Sequence, residues 1–421
     1  MASQRDVGHV LLGVAALLVV LGVIIAVVSP PVRQVSVAPS THGEPPIATL
    51  TPIRAVRVEG NRLVGASGRA LRLLGVNRSG AEYACVQDRG IFDGPSDPAS
   101  IAAMVSWHVN AVRLPLNEDC WLGINGVSAS YSGANYRSAV ASYVSELRTF
   151  GLAVVLDLHW SAPGTELATG QQVMADASHS IRFWKSVAHT FRADPAVIFD
   201  LYNEPHGISW RCWRDGCTTS AGWPTAGMQQ LVDAVRAAGA TQPVIASGLD
   251  YGADVAGWFG HRPRDPLHQL VAGVHLYNFT ACAGESCWNR RVTPLTARVP
   301  VVASEFGEND CADAFADRFM DWADRHDVSY LAWSWNTADC SAGPALITSS
   351  SGTPTLYGQG IKAHFASLFP GTSSSRGQVP SHPSHRFVAT ARMLPAYCPE
   401  PSQDQGNPRS SWSDGSPGPM S

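Results

Sequence analysis

Short apolar runs of four to six residues recur through the middle of the chain, each followed by a longer stretch with apolar residues at helical spacing. The runs are Leu71–Val76, Asn110–Leu114, Ala153–Leu158, Val197–Leu201, Pro243–Ser247, Val271–His275, Val301–Ser304 and Tyr330–Trp333. Ala139–Phe150 and Met228–Ala238 are typical of the helical stretches between them. Near-continuous apolar strands alternating with helices predict a parallel sheet covered on both faces. Eight of them close into a single (β/α)8 TIM barrel of the α/β class. Val56–Leu73 carries turn signals at Glu59-Gly60-Asn61 and Ser67-Gly68, which predict small antiparallel strands, a β-hairpin cap on one end of the barrel.

The ends of the chain have a different texture. Val10–Val28 is an uncharged run of nineteen residues preceded by Arg5. At about 1.5 Å per residue it nearly spans a hydrocarbon core of ~30 Å. It exceeds the apolar region of a typical cleaved signal, and Ser29-Pro30-Pro31-Val32 is a poor cleavage site. For residues 1–28 the expectation is therefore a membrane anchor ahead of a removed signal peptide. Both readings export the rest of the chain. Residues 29–53, rich in Pro, Val and Ser, read as a linker, and residues 371–421, rich in Pro, Ser and Gly, as a disordered tail. Residues 54–370 remain as one folded unit.

Composition narrows the function. Of 421 residues 45% are hydrophobic and 15% charged, with a formal net charge of −4. Such a chain buries a sizeable core, and without a basic excess it is a poor nucleic-acid binder. Eight of the nine cysteines lie in the folded unit, an even set that reads as disulfides in an exported protein. The simplest pairing is Cys212 with Cys217, Cys282 with Cys287, Cys85 with Cys120 and Cys311 with Cys340, leaving Cys398 alone. Zinc is the competitor, but no Cys-x-x-Cys or paired histidine motif accompanies them, so no metal is expected.

Polar residues gather where the apolar runs stop. Asn77, Arg113, His159, Trp160, Asn203, Glu204, His275, Tyr277, Glu305 and Trp335 occupy such places. In a barrel of this type the C-terminal strand ends form the face where active sites sit. Two glutamates there suit cleavage of a glycosidic bond with retention: one serves as acid then base, the other as nucleophile. Arg113 and Tyr277 would hold Glu305 ionised, while Glu204 keeps its proton in a more apolar setting. Asn203 would bind a sugar 2-hydroxyl, and Trp335 would offer a flat face to a pyranose ring. The rate should follow a bell-shaped pH profile.

The segments that carry these residues resemble glycoside hydrolase family 5, a large family rich in cellulases. Asn203-Glu204-Pro205, after Ile198-Phe199-Asp200-Leu201-Tyr202, is similar to its acid/base motif, and Ala303-Ser304-Glu305-Phe306-Gly307 to its nucleophile strand. Asn110-Ala111-Val112-Arg113-Leu114-Pro115, Asp157-Leu158-His159-Trp160, His275-Leu276-Tyr277 and Trp333-Ser334-Trp335-Asn336 resemble its other signatures, in family order. The resemblance implies a (β/α)8 barrel and retaining hydrolysis without metal or cofactor. It places Arg113, His159, Asn203, Glu204, His275, Tyr277, Glu305 and Trp335 in the family's active-site positions.

Other signals carry less. Glu118 and Asp119, beside Cys120, read as a solvated loop, and Glu308 and Asp310 as candidates for orienting the surroundings of Glu305. Gly358-Gln359-Gly360 imitates a dinucleotide fingerprint but lacks its strand and acidic partner, and reads as the start of the last helix. Glycosylation triplets begin at Asn77 and Asn278, where a glycan would block the mouth. Trp160, Trp210, Trp213, Trp223, Trp258 and Trp288 are expected on loops over that mouth, half stacking on sugars and half bracing loops. The expected function is a retaining endo-β-1,4-glucanase acting as a monomer on oligo- or polysaccharide, extracellular or tethered through its N-terminal segment to a membrane. The alternatives are another β-linked substrate, namely mannan, β-1,3-glucan or a glycolipid headgroup, and a non-catalytic carbohydrate-binding protein.

Overall fold

The computed structural model describes residues 51–369 apart from 339, 341 and 342. The anchor or signal expected over 1–28, nearly all of the 29–53 linker, the 371–421 tail and Cys398 lie outside the described residues. Among those described, no helix is long and apolar enough to cross a membrane.

Eight parallel strands close into a barrel: β4 (Leu74–Asn77), β5 (Ala111–Asn117), β6 (Ala153–Trp160), β7 (Val197–Asp200), β8 (Val244–Ser247), β9 (Leu270–Tyr277), β10 (Val301–Gly307) and β11 (Ser329–Ala332). Each pairs with its sequence neighbours, and β11 closes onto β4 through Tyr330–Leu74, Leu331–Gly75 and Ala332–Val76. All eight apolar runs thus become barrel strands, in order. Ahead of them, β1 (Val56–Glu59), β2 (Arg62–Gly65) and β3 (Ala70–Leu71) form a three-stranded antiparallel sheet, one strand more than the expected hairpin. This sheet seals the N-terminal end of the barrel. Ile53 N–H donates to Gly151 O just before β6, and Val56 N–H to Pro195 O just before β7, both at 2.8 Å. Beneath it Ile53, Val56 and Leu63 pack on Ala153, Ile198 and Val302. The opposite, C-terminal face is left for chemistry.

The helices between strands are α1 (Pro98–Val105), α2 (Glu118–Leu122), α3 (Gly133–Thr149), α4 (Ser180–Phe191), α5 (Trp210–Asp215), α6 (Met228–Ala237), α7 (Trp258–His261), α8 (Glu285–Arg291), α9 (Thr293–Thr296), α10 (Ala314–Arg325) and α11 (Leu356–Ser367). Their apolar stripes face the barrel. In α4 the buried set is Phe183, Trp184, Val187, Ala188 and Phe191, and in α10 it includes Phe315, Phe319, Met320 and Trp322. Such spacing keeps one helical side dry. Gly358 and Gly360 lie within α11; a Cβ at Gly358 would sit 2.0 Å from Leu346 O, so glycine lets this helix approach its neighbour.

The expectation for the tryptophans changes here. Trp213, Trp258 and Trp288 are fully buried and belong to α5, α7 and α8 rather than to loops over the mouth. Each indole N–H donates to a carbonyl: Trp213 to Ser247, Trp258 to Ala246 and Trp288 to Cys282, at 2.9, 2.7 and 2.7 Å. A buried indole whose N–H finds an acceptor is core, and truncating one costs about 3–5 kcal/mol. Trp160, Trp210 and Trp223 are half-buried. All four expected disulfides form, Cys85–Cys120, Cys212–Cys217, Cys282–Cys287 and Cys311–Cys340.

Candidate active site

The site grows from the inward positions of the barrel strands. Side chains two apart on a strand share a face. Asp157 and His159 on β6 therefore both enter the barrel, as do His275 and Tyr277 on β9. Register does the rest: Arg113 stands beside Asn77, Asp157 beside Asp200, and Glu305 beside His275 on adjacent strands.

Arg113 is the hub, and it is wholly buried. Its Nε donates to Asp200 at 2.9 Å, Nη1 to Glu305 at 2.6 Å and to Asn77 at 3.0 Å, and Nη2 to Asn203 at 2.9 Å. Nη2 also lies 3.0 Å from Asp157 Oδ2. Burial opposes its charge, but Asp157, Asp200 and Glu305 together raise its pKa further above the ordinary range. One guanidinium cannot neutralise three buried carboxylates. Accordingly burial pushes Asp157 up to about 7 and Asp200 up to about 6, with Arg113 opposing both shifts.

The two glutamates face each other above this hub. Glu305 accepts from Arg113 on Oε1 and, at 2.6 Å, from the Tyr277 hydroxyl on Oε2. Burial and the neighbouring Glu305 raise the Tyr277 pKa well above normal, so the phenol keeps the proton it donates. Glu204, just beyond β7, accepts from Gln171 Nε2 on Oε2 at 2.8 Å, and its Oε1 lies 2.9 Å from His275 Nδ1. Burial raises the Glu204 pKa. One oxygen of Glu204, one of Glu305 and a ring nitrogen of His275 all lie within 4.8 Å of one another. That trio has the donor types of a metal site. Its atoms are already engaged, however, by Gln171, Arg113, Tyr277 and, on His275 Nε2, the Ser304 hydroxyl at 3.0 Å.

The two histidines are fixed and neutral. His159 Nδ1 meets Asp157 at 2.6 Å, and its Nε2 lies 3.4 Å from Asn203 Nδ2. Burial lowers both His159 and His275 to about 4, so neither changes charge between pH 5 and 8.

Arg113, His159, Asn203, Glu204, His275, Tyr277 and Glu305 thus converge, as the sequence predicts. Trp335 does not stand with them. It is 6% exposed, packed edge-on against Trp107 at 4.8 Å, and borders a cavity of about 260 Å³ with Arg78, Tyr83 and Asn336. Trp333, two residues earlier and half-buried, is the indole at the centre: its ring lies parallel to His159 at 5.3 Å. Asp157, Asp200 and Gln171 are the other residues that sequence reasoning left without a role in the site. The first two had a signal, since an acid inside an apolar strand needs a partner.

Several side readings also change. Glu118 and Asp119 are buried rather than solvated: Glu118 accepts from Ser180 at 2.5 Å and Asp119 from Ala168 N–H at 2.8 Å. Glu308 accepts from the N–H groups of Phe315 and Ala316, both at 3.2 Å, so it caps α10 rather than orienting Glu305. Asn77 is fully buried, with its amide N–H groups donated to Ser304 O and Leu331 O, which leaves no room for a glycan.

The family model of cellulase (glycosyl hydrolase family 5) matches residues 67–339, which hold all eight barrel strands and the site residues. The chain belongs to glycosyl hydrolase family 5. Among relatives of this family, Endoglucanase 1 of Saitozyma flava is 27% identical over 223 residues, covering 49% of this chain and 60% of that protein. Endoglucanase CelA of Streptomyces lividans is 24% identical over 225 residues, 49% of this chain and 42% of that protein. The chain spans about half the length of the relatives it matches. A β-glucanase of Saccharophagus degradans solved with cellotetraose superposes with a TM-score of 0.58 at 17% identity, over 76% of this chain and 96% of that one. The catalytic domain of a Thermobifida fusca endoglucanase gives 0.52 at 16%, over 75% and 98%. At such identities the likeness concerns the fold, a family 5 barrel.

Proposed function

We propose that this family 5 protein is a retaining endo-β-1,4-glucanase, with Glu305 as nucleophile and Glu204 as acid then base. The observation that carries the reading is the approach of Glu204 and Glu305 oxygens to within 4.8 Å. Retaining pairs lie about 5–5.5 Å apart, whereas inverting pairs leave about 6.5–9.5 Å for a water. A Glu305 oxygen attacks the anomeric carbon while the Glu204 proton passes to the departing glycosidic oxygen. Water then gives its proton back to Glu204 and displaces Glu305. Arg113 and Tyr277 hold the nucleophile in line, and neutral His275 fixes the acid. The endoglucanase names of the relatives support glucan over mannan or a glycolipid headgroup. Four disulfides support an exported protein.

Proton NMR of the first product released from cellopentaose tests the mechanism: the β-anomer is expected, and an initial α-anomer rejects it. Release assays on carboxymethylcellulose, mannan and laminarin test the substrate, with the first expected to be turned over fastest.

Gln171 gives the pH dependence a handle. The acid must hold its proton, so activity falls as pH rises through the pKa of Glu204. Burial raises that pKa and the Gln171 hydrogen bond lowers it. Gln171→Leu is therefore expected to move the alkaline limb of kcat/KM to higher pH. The histidines cannot produce this limb, being neutral already. An unmoved limb, or one moved downward, would take the acid role away from Glu204.

A further inference from the structure

Arg78, the residue after β4, is a buried cation that no acid answers. It is 3% exposed. Its Nη1 donates to Ser79 O at 2.7 Å, and its Nη2 to Gly94 O at 3.0 Å and Pro95 O at 2.9 Å. The guanidinium lies over the rings of Phe92 and Tyr143, 5.4 and 5.8 Å from their centroids. Among the described residues these carbonyls and rings are its partners, with no carboxylate in ion-pair contact. Arg113 and Arg236, by contrast, are paired with aspartates. Glu82, a buried acid within the field of Arg78, does not serve. Burial pushes Glu82 up to about 8 against the pull of Arg78, so it is largely neutral at pH 7. Buried charge is ordinarily paired, because dipoles and ring faces return only part of the lost hydration.

The guanidinium borders the cavity of about 260 Å³ that Tyr83, Asp93, Tyr143, Trp335 and Asn336 also line. Gly80, at φ +122°, makes room for it: a Cβ there would lie 2.9 Å from Arg78 Nη1. Carbonyls take three of the five N–H groups of Arg78. In the same wall the Tyr143 hydroxyl, on a residue 2% exposed, finds no hydrogen-bond partner among the described residues. An unpaired buried hydroxyl is costly unless something else satisfies it. Asp93, the acid of the lining, is exposed and answered where it stands: it accepts from the Tyr83 hydroxyl at 2.6 Å and lies 3.7 Å from Arg89.

The cavity adjoins the mouth of the barrel. Arg78 follows Asn77, which accepts from Arg113, and Trp335 N–H donates to Asn77 O at 2.7 Å. The Tyr83 ring lies 6.3 Å from that of Trp160, next in the chain to His159. A side group on a glucan held at the mouth therefore has a place to go outside the reaction centre. A buried positive charge, two unused N–H groups and an unpaired hydroxyl fit an oxygen anion there; a neutral sugar hydroxyl would leave the charge unanswered. One cation, with Asp93 beside it, matches a single negative charge, hence a carboxylate rather than a doubly charged phosphate. We propose that this cavity binds a carboxylate carried as a side group by the β-glucan, through Arg78 and the Tyr143 hydroxyl, so that acidic glucans are favoured over neutral ones. This inference rests on the hydrolase reading above and adds a substrate class to it.

The test compares three substrates of the full chain at constant ionic strength: carboxymethylcellulose, hydroxyethylcellulose of equal substitution, and cellopentaose, which has no side groups. Tyr143→Phe keeps the ring over Arg78 and removes only the unpaired hydroxyl. It is expected to lower kcat/KM on carboxymethylcellulose about tenfold, the size of one hydrogen bond to a charged group. Turnover of the two neutral substrates should stay within about twofold, and the Tm should not fall, since the hydroxyl has no partner in the fold to lose. Arg78→Lys, which keeps a charge without the planar fork, should fall at least as far on the acidic substrate. Equal losses on all three substrates would make Arg78 and Tyr143 supports of the loop beside the mouth and overturn the site, as would carboxymethylcellulose kinetics that neither variant changes. Should Arg78→Lys fail to fold, Tyr143→Phe reads the same contrast alone. Cellopentaose turnover by the unsubstituted protein, lost in Glu305→Gln, checks the hydrolase reading separately; its absence removes this proposal too.

Discussion

Glu305→Gln is expected to lower kcat by about 10⁴–10⁶-fold, the range found when a catalytic nucleophile is removed, while the protein stays folded. A neutral amide cannot form the glycosyl ester, yet it has nearly the shape of the carboxylate. Arg113 keeps Asp200 at 2.9 Å, Asp157 at 3.0 Å and Asn203 at 2.9 Å, so the hub holds without Glu305. Tyr277 exchanges an acceptor for an amide it can face from either side. The loss should therefore appear in kcat on every substrate, good leaving group or poor. Glu204→Gln should differ: its loss should be severe on cellopentaose and slight in the first step on β-cellobiosyl fluoride, which leaves without a proton. Steady-state and pre-steady-state rates on the two substrates check this pair. If Glu305→Gln retains more than about a tenth of the activity, the nucleophile lies elsewhere.

Much of this site is legible in the sequence. The strand runs fall in order because buried parallel strands are apolar on both faces. Polar residues at their ends stand out against that background. The same contrast misplaces the strand ends. Expectation stops the strands at His275 and Ser304, but β9 continues to Tyr277 and β10 to Gly307. His275, Tyr277 and Glu305 belong inside the sheet because they satisfy one another there, and an apolar run cannot register a polar residue paired by a distant one. Trp333 and Trp335 share a side of the chain by their spacing, and sequence offers no means of telling which indole reaches His159 and which packs on Trp107. Glu118 and Asp119 look solvated because their donors, Ser180 and Ala168, lie far along the chain. Gln171 has no signal at all, because it reaches Glu204 from a loop.

Arg113→Met should damage both fold and activity. Removing one partner from a buried ionic cluster leaves uncompensated charge and costs about 3–5 kcal/mol. Here one cation serves Asp157, Asp200 and Glu305, all but fully buried. The cost should depend on pH with a definite sign. Burial has already raised Asp157 to about 7 and Asp200 to about 6 with Arg113 opposing, so its loss raises both further. A carboxyl raised in the folded state is accommodated below its unfolded pKa of about 4 and destabilises the fold as pH climbs toward the folded value. Since the unsubstituted protein already carries these carboxyls at about 6 and 7, the deficit relative to it should stay level below about pH 6 and grow as pH rises through 7 and beyond, measured by urea unfolding at a series of pH values. Activity should fall at every pH, because Glu305 and Asn203 lose the group that aligns them. Arg113→Lys should recover part of the stability and little of the rate: an ammonium restores a charge but not the planar fork that reaches Asp200, Glu305 and Asn203 at once. A deficit that shrinks as pH rises would show that Arg113 is not what holds these acids together.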